Sequence, residues 1–436
     1  MIEGPTLWGL IPLFVFVLLA FMKYHPVVAL LIATISGAIL TGSGLVTMAF
    51  QIEEGLGEFL AYIGLLIMAG GGLGKITEKT GVAKYIVKAV VYKIGIDTQN
   101  KALLGAMAST VILSGALGTF TGASAIIMPV VMPIMANLRI SSSSIAIIFQ
   151  GAGITGLLLG PFTPPMVTFM EVTELSYWQI LLYGSLPVSL VMWIVTFIFI
   201  KIINPRTIKN FSYTEEDLVE SGMEKNDYSE NNKIVKQTTI AFLITMIALI
   251  IYGILIQGGS SFAIVIIIST AIVTGLVGRL NTKELAETFF EGAQPLIWLF
   301  FQFILFTPFI NFIEELGGFE AVADLMLPII ESGGNFLLTM LAAITGAVGI
   351  PGAAVAQTVI LDEVFGDIFY NAGVPISIWV LVLIIGSQMT EFLYPLGDTL
   401  GAMGIARSRD LRTMIFFGVV MTVLVVSFLA LRSLFV

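Results

Sequence analysis

Cysteine is absent from this 436-residue chain, and histidine occurs once, at His25. The first absence removes disulfides, thiolate metal sites and thiol nucleophiles together. With a single histidine beside Pro26 and no HExxH pattern, the residues for a nucleophile–base pair or a catalytic metal cluster are lacking as well. No enzyme is expected, and no cofactor other than a coupling ion. Charge is also scarce. Only 11% of residues are charged and 57% are hydrophobic, against roughly 25% and 45–50% in soluble domains. The net charge of −9 comes without a concentrated basic face, so no nucleic-acid partner is expected. The glycine run at 68–74 lacks the Lys-Ser/Thr pair of a phosphate loop and reads as a close-packing surface.

What the chain does have is apolar length. A helix needs ~20 apolar residues to cross ~30 Å of hydrocarbon. Crossings are predicted at Thr6–Met22, Pro26–Leu45, Phe59–Leu73, Ser144–Met170, Gln179–Ile203, Thr238–Ile256, Phe262–Val277, Pro295–Phe312, Ile376–Met403 and Thr413–Leu431. Two more stretches, 102–138 and 335–360, are interrupted by SGALGTFTGAS and TGAVGIPGAA and read as re-entrant hairpins. The first run has no basic leader or small-residue cleavage site and is expected to be a retained span. An all-α polytopic membrane protein in the lipid bilayer of the cytoplasmic membrane is the expectation.

One hydrophilic stretch, 204–236, separates the halves 1–203 and 237–436. At an offset of roughly 235 positions the halves correspond, as in transporters with internal repeats. Glu54 and Gly55 fall on Glu291 and Gly292, Gly115–Gly118 on Gly346–Gly349, Pro161 on Pro395, and Gly184 on Gly418. Charge gives the orientation. Lys75, Lys79, Lys84, Lys88, Lys93 and Lys101 follow the third span and belong in the cytoplasm by the positive-inside rule. The equivalent stretch of the second half carries Glu314, Glu315, Glu320, Asp324 and Glu331 and belongs outside. The prediction is two inverted-topology repeats, each of five transmembrane helices plus a re-entrant hairpin. Both termini lie outside, and an amphipathic interfacial helix follows the third span of each half.

Non-helical backbone at membrane depth is tolerated only where protein or a water-filled cavity satisfies it. Four breaks are predicted near the bilayer midplane: the two hairpin tips, LLLGPFTPP in the broken helix 144–170, and EFLYPLGDT in the broken helix 376–403. Half-helix ends carry partial charge that can hold an anion at N-termini and Na⁺ at C-termini. Ser114, Thr119, Thr121, Ser124, Thr163 and Thr345, with Gly349 and Pro351 at the second tip, are the candidate substrate-binding residues. Taken singly, each Gly, Ser or Thr serves close helix packing equally well. An ionisable residue inside a span costs roughly 2.5–3.5 kcal/mol on insertion scales. That cost singles out Glu391 and Asp398, on either side of Pro395, as candidate ion-coupling residues, with Gln388 beside them and Na⁺ as the candidate metal. Asp398 has a second reading as the cap of the following half-helix. Gln388, Gln150 and Gln357 also suit ordinary interhelical hydrogen bonding.

Gly70–Gly81, Gly160–Pro165 and GTFTGASAIIMPVVMPI resemble the ion-transporter superfamily, which includes gluconate permeases, NhaC-type Na⁺/H⁺ antiporters, citrate carriers and divalent-anion/Na⁺ symporters. Gluconate permeases usually carry a His near the first Pro-rich break, where this sequence has Gly160, Pro161 and Phe162. The Ser-Asn-Thr signature of the divalent-anion symporters is missing from both tips. The resemblance implies a homodimer with an elevator-like transport domain of hairpins and broken helices. It would move a small organic anion, a carboxylate, with Na⁺ or H⁺. The alternative is an Na⁺/H⁺ antiporter in which Glu391 alternates between proton and sodium.

Overall fold

The computed structural model describes residues 6–22, 24–94, 97–214, 217, 233–256, 258, 260–349, 354–395 and 397–435, and every element named below lies within them. All regular structure among the described residues is helical. Segments this apolar must satisfy their backbone polar groups internally when they enter lipid. The first half contains α1 (Ile11–Phe21), α2 (Pro26–Thr41), α3 (Leu45–Gly55), α4 (Phe59–Lys79), α5 (Val82–Ile94), α6 (Gln99–Leu117), α7 (Phe120–Asn137), α8 (Ser142–Leu159), α9 (Pro164–Thr173) and α10 (Tyr177–Thr207). The second contains α11 (Lys233–Leu255), α12 (Ala263–Val277), α13 (Thr282–Ala293), α14 (Ile297–Glu315), α15 (Gly318–Ala347), α16 (Ala354–Asn371), α17 (Ile376–Gln388), α18 (Thr390–Leu393), α19 (Gly397–Ile405) and α20 (Leu411–Ser433). Nine helices among the described residues are long and apolar enough to cross a membrane. This is a multi-pass helical membrane protein.

Glycine and proline punctuate the chain where the sequence leads one to look. Gly118, at φ +69°, ends α6 and turns the chain into α7. Gly334, at φ +60° and ψ −163°, bends α15 between its amphipathic start and its apolar end. α9 opens on Pro164 and Pro165, where missing N–H groups cost no intrahelical bond.

Three boundaries differ from expectation. α2 stops at Thr41 because Gly42 takes φ +77°, and a separate helix, α3, fills a stretch too polar to stand out as apolar. Its counterpart α13 was hidden in the same way; Asn281 and Glu284 form a capping box at its start. The returning arm of the second hairpin does not end at 360 but continues as α16 to Asn371. Asp362, Glu363 and Asp367 made that part look like loop, yet Asp362 lies against α17 and accepts a hydrogen bond from Trp379 Nε1 at 3.3 Å.

Packing between the halves is reciprocal. α2 and α3 lie on α14, while α12 and α13 lie on α4. A Cβ at Gly55 would meet the Ile304 carbonyl at 2.7 Å, and one at Gly292 would collide with the Gly71 carbonyl. Gly9 is pressed on Gly318 at the start of α15, and Gly81 touches Val235 of α11. α8 and α17 are the most enclosed spans, 89% and 78% buried, so they form the centre of the molecule. α11 is only 17% buried and turns Ile240, Ile244, Ile247 and Ile251 outward.

Candidate functional site

The first hairpin tip is held close to the first helix break. Gly115 lies 3.0 Å, by its would-be Cβ, from the Gly156 carbonyl, and a Cβ at Gly160 would meet Gly115 Cα at 2.8 Å. Only glycine permits that approach. The break at Gly160–Thr163 satisfies itself. The Thr163 hydroxyl donates to the carbonyls of Leu157 and Gly160, and Tyr177 donates to the Leu159 carbonyl at 2.9 Å. Carbonyls orphaned at the end of α8 are thereby covered without water.

The second break is built differently. Its exposed carbonyl, that of Glu391, accepts from Gln150 Nε2 of the first half at 2.7 Å and from Thr399 Oγ1 at 3.0 Å. Thr121, in the first turn of α7, donates to the Asp398 carboxylate at 2.5 Å, joining the first hairpin tip to the start of α19. Tyr394 donates to the Val348 carbonyl at the end of α15 at 2.9 Å. A Cβ at Gly418 would overlap the Phe392 carbonyl, so α20 presses directly on α18.

Between these parts lies a cavity of about 850 Å³. Four helix N-termini reach its wall: Phe120–Gly122 of α7, Pro164 and Pro165 of α9, Ala354 and Val355 of α16, and Gly397 and Asp398 of α19. Gln388 and Glu391 complete that side. The facing wall comes from α4, α13 and α14, with Lys75, Glu78, Glu291, Trp298 and Gln302. Lys75 bridges Glu78 at 3.3 Å and Glu291 at 3.4 Å where the cavity reaches the end of α4. The carboxamide oxygen of Gln302 is buried and has no partner among the described residues.

Of the residues singled out in the sequence, the cavity brings together Thr119, Thr121, Gln388, Glu391 and Asp398. Others lie off it. Ser114 is fully buried beside Gly156, Ser124 donates to the Phe120 carbonyl at 2.6 Å, and Thr163 spends its hydroxyl within the break. Thr345 is exposed on α15, and Gly349 packs against the Gln357 carboxamide. Pro351 lies outside the described residues. Sequence reasoning missed Gln302, Trp298 and the site-side placement of Lys75 and Glu291. A lone glutamine inside the apolar run of α14 was the available signal for the first.

Apolar helices of membrane-crossing length around a polar cavity define a multi-pass membrane protein, and its relatives make it a transporter of the ion-transporter superfamily type. The chain belongs to the CitMHS citrate transporter family, whose profile matches residues 13–290. It is 30% identical over 164 residues to a gluconate permease of Bacillus licheniformis, covering 37% of this chain and 36% of that one. Over 164 residues it is 24% identical to the high-affinity gluconate transporter of Escherichia coli strain K12, covering 38% and 36%. The matched segment thus spans about a third of these relatives. MtrF of Neisseria gonorrhoeae, of a class of antimetabolite efflux pumps, superposes with TM-score 0.62 at 14% identity over 96% of this chain and 94% of its own. The YdaH transporter of Alcanivorax borkumensis gives 0.61 at 11% identity over 94% and 98%. These two likenesses establish the fold.

Proposed function

We propose that the protein is a secondary active transporter of a small organic anion of the citrate and gluconate kind, driven by Na⁺ or H⁺. The carrying observation is the convergence of four helix N-termini on one cavity. Each such end is equivalent to roughly half a positive charge; α9, opening on Pro164 and Pro165, contributes its dipole but no N–H there, and together the four ends favour carboxylates without an arginine. The same wall bears Glu391 and Asp398, and the rim adds Glu78 and Glu291 against the single ammonium of Lys75. An anion entering a low-dielectric pocket with that many carboxylates must bring cations or protons with it. Obligatory co-binding is what couples the two fluxes. Thr121 holds the Asp398 carboxylate, and Gln150 fixes the carbonyl of Glu391, so tip and ion site move as one body in this reading.

Reciprocal packing of the halves supports the two inverted repeats, 1–203 and 237–436, and the positive-inside rule then turns the Lys75 mouth toward the cytoplasm. Hairpins, broken helices and α10 and α20 form the moving body of an elevator. α1 to α4 and α11 to α14 form the stationary scaffold through which a homodimer in the cytoplasmic membrane would join. Proteoliposome uptake tests the function: citrate or gluconate should accumulate against a gradient only when an Na⁺ or pH gradient is imposed. Na⁺ efflux that responds to pH with no organic solute present would instead establish the antiporter.

A further inference from the structure

A second cavity, of about 270 Å³, lies on the other side of the first hairpin tip. Ile67, Leu117, Gly118 and Pro164 line both cavities, so the tip and the start of α9 form the partition between them. The remaining walls come from α4, α5, α6, the end of α8 with the break at Gly160–Phe162, α11 and α12. Among the side chains lining it, Thr270 alone carries a polar oxygen or nitrogen. Thr270 is fully buried, and its hydroxyl has no partner among the described residues.

A void of this size is well above the ~150 Å³ apolar cavity that stays dry and takes up benzene. Interiors tolerate few such voids, because lining atoms lose their dispersion partners. Water is a poor filling, since it needs two to four polar partners and the side chains here offer one. The supply of something better adjoins the site. Ile112 of α6, on the cavity wall, is 43% exposed on the outer face of the hairpin, and α11 presents its lipid-facing isoleucines on its other side. The cavity is partly open rather than sealed, and Met246 and Ile250 of α11, which line it, alternate along that helix with the outward Ile244, Ile247 and Ile251.

We propose that a phospholipid acyl chain occupies this side cavity and wedges behind the first hairpin tip. The chain fills the space between the hairpin and α11 and α12 and holds the tip where it stands. Movement of the tip along the scaffold then requires the chain to withdraw. This assignment does not rest on the transported solute, and binding can be read without transport.

The test uses the full-length protein in vesicles of phosphatidylethanolamine and phosphatidylglycerol. These carry a phosphatidylcholine with a diazirine at the end of one acyl chain; after irradiation, labelled residues are mapped by mass spectrometry. Label is expected on cavity-lining residues of 111–118 and 242–250, besides the outward Ile244, Ile247 and Ile251. Ala116→Phe and Met246→Phe fill the cavity from opposite walls. Each should lower the cavity label several-fold and leave the outward label at the wild-type level. Label confined to the outward face of the wild-type protein overturns the proposal, whatever the variants do. So does a cavity label that persists unchanged in a folded filling variant.

Discussion

The two helix breaks solve one problem in two ways. At the first, Thr163 and Tyr177 cap the freed carbonyls from within the same half, and no ionisable side chain is present between Gly160 and Thr163. At the second, the freed carbonyl of Glu391 is shared between Thr399 of its own half and Gln150 of the other, and two carboxylates stand on the cavity wall. A break that satisfies itself can act as a fixed hinge point. One that takes a partner from the other half links its own geometry to that half, which is what the proposed coupling role of Glu391 and Asp398 would require.

That contrast can be broken by substitution, and the effects should fall in a definite order. Glu391→Gln should abolish concentrative uptake in proteoliposomes, because a carboxamide can neither carry the proton nor balance the charge of a bound cation. Retention of coupled uptake would strip the second break of its special role. Thr121→Val removes a hydrogen bond to a carboxylate, worth about 1.5–3 kcal/mol. It should weaken ion-dependent uptake by roughly tenfold or more, and Thr121→Ser should restore it. Gln150→Leu removes one of the two hydrogen bonds on the Glu391 carbonyl and leaves Thr399 on it; it should cost about 1.5 kcal/mol of stability, together with a weakened response of Tm to the coupling ion. Thr163→Val should lower Tm by a comparable amount and leave that ion response intact; if it removes the response as well, the two breaks are not distinct. Smallest of all, Tyr177→Phe should cost about 1 kcal/mol, read as a modest fall in Tm with uptake unchanged.

Much of the fold was readable because lipid imposes simple rules. Length and hydropathy marked the crossings, and SGALGTFTGAS and LLLGPFTPP could not continue as ordinary helix. α3, α13 and the end of α16 escaped because each is amphipathic or acidic, and the apolar-run criterion sees only segments wrapped on all sides by hydrocarbon. In the site, Glu391, Asp398 and Thr121 were legible, the carboxylates by the cost of charge in a span and the threonine by its place at a tip. Ser114, Ser124 and Thr163 looked alike in sequence. Ser124 and Thr163 spend their hydroxyls on carbonyls three to six residues back, whereas Ser114 is buried beside Gly156 with its hydroxyl unpartnered among the described residues; helix geometry decides this, not residue type. Gln302 and Lys75 came to the cavity through α14 and α4, elements whose approach to the hairpin is a tertiary matter.

The sequence alone determined that this chain crosses a membrane many times as helices, where those helices are interrupted, and which carboxylates are costly to place inside a span. Those are local questions of transfer energy and backbone satisfaction. Tertiary structure decided which breaks face one cavity, that Gln150 and Thr121 of one half hydrogen-bond to the second break of the other, and which hydroxyls are already spent. The contacts between the halves turn on hydrogen bonds such as Thr121 to Asp398 and Gln150 to Glu391, between residues more than two hundred positions apart, and no pattern of neighbours along the chain encodes that proximity.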